Sequence, residues 1–130
     1  MDFGRFRYNL MIKILLDTNF LIYFFDSKTD IYKVLDSSLL DSYELYCTDK
    51  NLEELSGLGK EDVIALVKHL KVHVLKVDDS GSPVDDILIR TAKEKGFYIA
   101  TQDRNLISKA KRSGVPIIAK GNKNKVKILL

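Results

Sequence analysis

Short apolar runs alternate along this chain with segments in which apolar residues recur every three or four positions. Residues 12–16 form a branched, almost uninterrupted apolar run, which is typical of a parallel strand covered on both faces. Short apolar runs or period-two alternation predict further strands at 43–47, 72–77, 97–100 and 115–119. Helical spacing predicts helices at 20–25, 30–40, 51–55, 60–70 and 84–95, and a last helix through Leu106, Ile107 and Ala110. This alternation predicts an α/β fold, a three-layer α/β/α sandwich around a central parallel sheet.

Turn and cap residues mark the ends of several predicted elements. Gly57 and Gly59 follow the short helix at 51–55, and Thr48 and Asp49 precede it as good cap residues. The helix at 84–95 is bounded on both sides: Ser82 is the expected cap, Pro83 the expected first helical residue, and Gly96 the expected left-handed stop.

Length and composition favour one compact domain. The chain has 130 residues, of which 45% are hydrophobic and 30% charged. Residues 1–10 precede Met11 without a periodic pattern, so we expect an N-terminal extension followed by a single domain at 11–130. No apolar stretch approaches the roughly 20 residues that span a bilayer, and the start lacks a signal-peptide core. We therefore expect no membrane association and a cytoplasmic location.

Cysteine and histidine usage argues against zinc chemistry. Cys47 is the only cysteine and lies in an alternating apolar segment, so it is expected to be a buried structural thiol. His69 and His73 have a spacing that suits a metal on one helix, but the predicted change from helix to strand falls between them. Both are expected to be ordinary surface or edge residues.

Charge is distributed unevenly along the chain. Residues 1–89 carry 10 basic and 16 acidic residues, a net charge of −6, whereas residues 90–130 carry 11 and 2, a net charge of +9. This asymmetry favours an anionic partner held by the second half of the chain. The alternative is a solvated surface, which is the commoner meaning of a run of lysines.

Two predicted strands end in an acid with small polar neighbours. Asp17 follows the first strand directly, and Thr101 and Asp103 follow the strand at 97–100. Strand ends gather along one edge of a parallel sheet, where Glu54 and Asp85, each near the start of a helix, would join them. Four carboxylates in one cleft repel one another unless a cation is present, which favours Mg²⁺ or Mn²⁺. For each acid taken alone, a helix cap or a solvated helix surface is the simpler explanation.

These segments resemble the four acidic motifs of the PIN-domain nucleases, over residues 12–118. The motifs in order are LDTNFLI at 16–22, the segment 48–55, VDDILI at 84–89 followed by Thr91 and Ala92, and IATQDRNL at 99–106. The resemblance implies an endoribonuclease that hydrolyses RNA with Mg²⁺ or Mn²⁺ in RNA processing or decay. The ending GVPII at 114–118 and the pair Asp85-Asp86 look most like the branch related to ribosomal-RNA processing nucleases.

The same resemblance implies roles for individual residues. Four acids would be the catalytic and metal-binding groups: Asp17, Glu54, Asp85 and Asp103. Four polar residues would support them: Asn19, Thr101, Asp86 and Asn105. Four basic residues would bind RNA: Arg104, Lys109, Lys111 and Arg112.

The chain departs from the family pattern at one position and leaves several alternatives open. Asn105 stands where many relatives carry another acid, which puts a second metal ion in doubt. VapC-type toxins of toxin–antitoxin pairs are an alternative branch, and a PIN module that binds RNA or protein without catalysis is another. A flavodoxin-like phosphoacceptor domain is disfavoured because no glycine-rich loop follows the first strand. The expected partners are RNA, a small antitoxin or a ribosome-biogenesis protein, and a second copy of the chain in a homodimer.

Overall fold

The computed structural model describes residues 11–77, 81–122 and 124–130, and within these ranges it contains six strands and six helices. The predicted extension at 1–10 and residues 78–80, from the turn before Pro83, lie outside the described residues. The strands are β1 (Met11–Leu16), β2 (Ser42–Thr48), β3 (His73–Leu75), β4 (Tyr98–Ala100), β5 (Ile117–Lys120) and β6 (Val126–Leu129). The helices are α1 (Thr18–Asp26), α2 (Ile31–Ser38), α3 (Asp49–Gly57), α4 (Glu61–His69), α5 (Val84–Lys95) and α6 (Arg104–Arg112).

One six-stranded sheet, in the order β3-β2-β1-β4-β5-β6, forms the middle layer. Its pairs are parallel from β3 through β5, which confirms the predicted α/β sandwich, but β6 pairs antiparallel with β5. The predicted central parallel sheet thus carries one antiparallel strand at its edge. Strand β6 escaped prediction because only Val126 of its four residues is fully buried, so the segment shows no clear alternation.

The central strand β1 is covered on both faces, which explains its continuous apolar run. Ile14 and Leu16 pack into a cluster with side chains of α1 to α4, and Leu15 packs into a second cluster with side chains of α5 and α6. Full burial of such a side chain contributes about 1.5–3 kcal/mol. The two layers thus hold β1 in the middle of the sheet, with its carboxyl end flanked by β2 and β4.

The boundaries of two predicted elements need correction. Pro83 is the residue before α5 and not its first helical residue, and Ser82 does not cap the helix. Strand β3 covers only His73–Leu75 because the Val77 N–H donates to the Asp49 carboxylate, at 3.1 Å, and not to the sheet. The predicted left-handed stop is confirmed, since Gly96 has a φ of 71°.

The predictions for cysteine and histidine are confirmed. Cys47 is fully buried, and burial raises the pKa of its thiol to about 12, which makes it an inert core residue. His69 and His73 are both exposed, and His73 lies 3.7 Å from the Glu44 carboxylate at the sheet surface. Within the described ranges, no helix has the length and apolar character that crossing a membrane requires.

A buried hydrogen-bond network ties the start of α3 to the start of α1. The Thr48 N–H and hydroxyl donate to the Asn51 side-chain oxygen at 2.9 and 2.8 Å, and the Asn51 N–H donates to the Thr48 hydroxyl at 3.1 Å. The Asn51 amide then donates to the Thr18 hydroxyl at 2.9 Å. All three residues are buried, so this network holds α3, which carries Glu54, against the carboxyl end of β1.

We expect Asn51→Ala to lower the free energy of unfolding by about 2 kcal/mol, because it leaves buried polar groups of Thr48 and Thr18 without partners. Urea denaturation followed by circular dichroism measures the change. Asn122→Ala, at an exposed position, is the matched control and should change stability little. Equal effects of the two substitutions would show that the network contributes nothing to stability.

Candidate active site

Asp17 lies at the carboxyl end of β1 and also caps α1. Its side chain is only 4% exposed. One carboxylate oxygen accepts from the Thr18 N–H at 2.8 Å and the other from the Thr101 hydroxyl at 2.7 Å, while its own N–H donates to the Ala100 carbonyl at 2.9 Å. Asp17 is therefore both the residue at the strand end and the helix cap, two roles that the sequence analysis treated as alternatives.

Thr101 connects the two acids that follow strands. Its side chain is fully buried, its hydroxyl donates to Asp17, and the same oxygen accepts from the Asp103 N–H at 3.1 Å. Asp103 caps α6 by accepting from the Asn105 N–H at 2.8 Å. The hydroxyl of Thr101 thus sets the position of one carboxylate directly and of the other through the backbone.

The charges of nearby acids raise the pKa values of Asp17 and Asp85. Burial raises the pKa of Asp17 to about 6; the Thr101 hydrogen bond opposes this rise, and the charges of Asp85 and Glu54 add to it. The pKa of Asp85 is also raised, chiefly by burial, then by the charges of Asp103, Glu54 and Asp86, with Lys109 acting in the opposite direction. The charges of Glu54 and Asp85 thus reach Asp17, and the charge of Asp103 reaches Asp85.

The donor set suits a hard divalent cation. In the described part of the chain, no three His, Cys, Asp or Glu side chains stand close enough to share one metal ion as they are placed. Repulsion among carboxylates favours such a spread, and a cation between them would offset it. Each Asp17 oxygen accepts one hydrogen bond and retains a second lone pair. Oxygen donors of this kind are the ligands that Mg²⁺ and Mn²⁺ prefer.

Adjacent acids at the start of α5 make different contacts. Asp86 is exposed, and its carboxylate lies 3.8 Å from the Lys109 ammonium. Asp85 is half-buried, and its charge raises the pKa of Asp17. The two side chains differ in direction because successive residues on a helix are about 100° apart. The choice of Asp85 over Asp86 as the ligand stays a prediction.

The remaining supporting and basic residues lie at different distances from the acids. Asn19 and Asn105 are exposed in the first turns of α1 and α6, beside the acids that cap these helices. Arg104 and Lys109 lie toward the acidic edge. Lys111 and Arg112 lie at the far end of α6, which at 1.5 Å per residue is about 10–12 Å from its start. Contact of these four basic residues with RNA stays a prediction.

The sequence analysis missed two structural features near this edge of the sheet. The network through Asn51 and Thr18 was missed, although the spacing of Thr48 and Asn51 is that of a capping box. A cavity between α6 and the β5–β6 hairpin, lined in part by Lys120 and Lys127, was also missed. No linear signal joins these lysines to α6, because the contact depends on an unpredicted strand.

Sequence comparison relates the chain to known families and proteins. A family model described as a PIN-like domain matches residues 14–123. The rRNA-processing protein FCF1 of Saccharomyces cerevisiae is 31% identical over 124 residues, which cover 89% of this chain and 66% of FCF1. Ribonuclease VapC9 of Archaeoglobus fulgidus is 31% identical over 120 residues, which cover 90% of this chain and 89% of that protein. Ribonuclease VapC4 of Methanocaldococcus jannaschii is 30% identical, covering 83% and 89%.

The fold is also shared with a solved structure, that of the PIN domain endonuclease Utp24. The TM-score is 0.78 at 24% identity, and the match covers 89% of this chain and 90% of the other. The chain spans slightly less than two thirds of yeast FCF1 but nearly all of the two archaeal ribonucleases. Because the family model matches most of its length, the chain belongs to the PIN-like domain family.

Proposed function

We propose that this protein is an endoribonuclease that depends on Mg²⁺ or Mn²⁺ and hydrolyses phosphodiester bonds of RNA. The observation that carries the proposal is the buried Asp17 carboxylate at the carboxyl end of β1, which the Thr101 hydroxyl holds in place and on which the charges of Asp85 and Glu54 act. VapC4 and VapC9 are ribonucleases by name and match nearly their whole length, which supports the same reaction for this chain.

Each site residue has a proposed part in this reaction. Asp17 and Asp103 would hold the metal from fixed positions, because Thr101 and the helix starts orient them. Glu54 and Asp85 would complete the ligand set from α3 and α5. When bound, the ion would shield the phosphate charge and lower the pKa of a water molecule for attack on phosphorus.

Polar and basic side chains at the rim would position the RNA. Asn19 is exposed beside Asp17 and would orient substrate or water. Lys109 is near Asp85 and Asp86 and would attract the RNA backbone toward the acids.

We place the activity in RNA processing, with a ribosomal-RNA precursor as the favoured substrate class, because yeast FCF1 is an rRNA-processing protein. A toxin ribonuclease is the second candidate, favoured by the nearly end-to-end match with the two VapC proteins. The proposed partners are then a ribosome-biogenesis protein or a small antitoxin, with the chain as a homodimer. Controlled expression in the native host separates the roles, since a toxin arrests growth and a processing enzyme does not.

We expect Asp17→Asn to reduce Mn²⁺-dependent RNA cleavage by roughly 100-fold or more, because a metal-stabilised transition state is worth several kcal/mol. Cleavage of a labelled RNA in single-turnover assays measures the loss. Asp41→Asn removes an exposed carboxylate that precedes β2 and should keep full activity. A folded Asp17→Asn protein as active as the wild type would exclude the proposed mechanism.

The pair at the start of α5 should separate in the same assay. We expect Asp85→Asn to abolish cleavage and Asp86→Asn to retain most of it, because Asp86 lies near Lys109 while Asp85 acts on the other acids. Calorimetric titration with Mn²⁺ should show weakened binding for the first variant only. The reverse order of effects would place the third motif one residue further along.

The metal-free protein should lose stability as pH rises, because the pKa of Asp17 is raised from 3.8 to about 6 in the folded state. Between these values the unfolded chain releases its proton first, so the free energy of unfolding falls with increasing pH. Relative to Asp17→Asn, the wild type should lose about 2 kcal/mol between pH 4.5 and 7.5 in EDTA, measured by urea denaturation. Asp41→Asn is the control for loss of a carboxylate. A difference from Asp17→Asn that does not vary with pH would contradict the prediction.

A further inference from the structure

The cavity between α6 and the β5–β6 hairpin adjoins the acidic edge. It has a volume of about 360 Å³ and lies between α6 and the hairpin. Ile107 and Ala119 contribute an apolar floor, and the small Ala119 side chain leaves the space open. This volume is large enough for a phosphate group, because it is about ten times the roughly 30 Å³ that one water molecule occupies in the liquid.

The rim of this cavity is cationic. Arg104, Lys120 and Lys127 line it, and no acidic residue is among the described residues that do so. The Lys120 ammonium lies 4.5 Å above the centre of the Tyr23 ring, and neither Arg104 nor Lys127 forms an ion pair within the described part of the chain. Positive charge that the protein does not neutralise favours an anionic ligand.

One residue that lines the cavity carries a buried hydrogen-bond donor. The side-chain nitrogen of Gln102 is buried and has no hydrogen-bond partner among the described residues. A buried donor without an acceptor is unfavourable, and an acceptor supplied by a ligand would account for its retention. A phosphate oxygen meets this need and the charge requirement together.

The cavity also lies on the same side of the sheet as the proposed cleavage site. Gln102 and Arg104 flank Asp103 in the sequence, and Lys120 ends β5, which runs parallel to β4. Both strands therefore end at the same edge of the sheet. Because two residues that line the cavity flank Asp103, a phosphate bound there could belong to the same polynucleotide strand as the phosphate at the acids.

We propose that this cavity is a subsite for a backbone phosphate of the RNA strand, adjacent to the scissile phosphate. The inference rests on the proposed function for the identity of the strand. Arg104 and Lys127 supply the charge, and Gln102 donates a neutral hydrogen bond to a phosphate oxygen. The apolar floor accommodates the attached ribose.

The test measures binding of a single-stranded RNA to the full chain in EDTA, over a series of salt concentrations. Lys127→Gln should weaken binding roughly three- to tenfold and reduce the slope of log affinity against log salt by about 0.7, the value of one single-strand phosphate contact. Arg104→Ala should act in the same way. Lys125→Gln is the matched control, because this exposed lysine precedes the same strand but does not line the cavity. Identical slopes for the Lys127 and Lys125 variants would overturn the proposal.

A neutral substitution separates binding from a structural role. Gln102→Leu removes the unpaired donor, so it should leave stability unchanged or raise it while weakening RNA binding without changing the salt slope. Lower stability with unchanged RNA affinity would mean that Gln102 serves the fold alone.

RNAs that each carry one uncharged methylphosphonate linkage identify the phosphate. At one linkage, the modification should weaken wild-type binding but cause no further loss in Lys127→Gln. If inorganic phosphate competes at this cavity while the RNA salt slopes of Lys127→Gln and wild type coincide, the ligand is a free phosphate and the proposal is wrong. Because these measurements need no cleavage, they give a result even if the protein proves catalytically inactive.

Discussion

The buried carboxylate of Asp17 is the constraint on which the rest of the edge depends. Water is almost entirely excluded from it, and burial in a medium of low polarity disfavours its charged form. Hydrogen bonds from Thr18 and Thr101 recover part of that loss. An acid retained in such surroundings at a cost in stability is a common property of functional sites, which is why Asp17 is the leading candidate ligand.

The strand-to-helix junctions explain why the same residues serve structure and chemistry. Asp17 and Asp103 closely follow a strand, Thr48 is the last residue of one, and each of the three caps the next helix. A cap residue presents its side chain at a helix start, where backbone N–H groups fix its orientation. In a parallel sheet these starts share one edge, so the cap and the candidate ligand are compatible roles. Thr101 and Asn51 add buried hydrogen bonds that hold the junctions together.

The fold converts the charge asymmetry along the chain into an acidic region beside a basic region. Acidic residues from the first half meet Asp103 at the carboxyl edge, while the basic second half forms α6 and the β5–β6 hairpin beside it. Lys109 lies directly between these regions through its contact with Asp86. An RNA backbone held by the basic flank would thus pass the acids, in keeping with a family that includes named ribonucleases and an rRNA-processing protein.

The sequence by itself determined the central features of this protein. Local hydrophobic periodicity predicted five of the strands in order, the α/β class and the acids at strand ends. These features leave strong local patterns, because a strand buried on two faces is a continuous apolar run and helix ends carry cap residues. Family resemblance predicted the choice of Asp17, Glu54, Asp85 and Asp103, which periodicity could not distinguish from ordinary caps. Tertiary structure decided what depends on distant partners: the antiparallel β6, the link from Asn51 to Thr18, the desolvation of Asp17, and the joining of Arg104 with Lys127 around one cavity. Hydrogen bonding and desolvation between residues far apart in the chain leave no local periodicity, so these features appear only when the sheet brings the segments together.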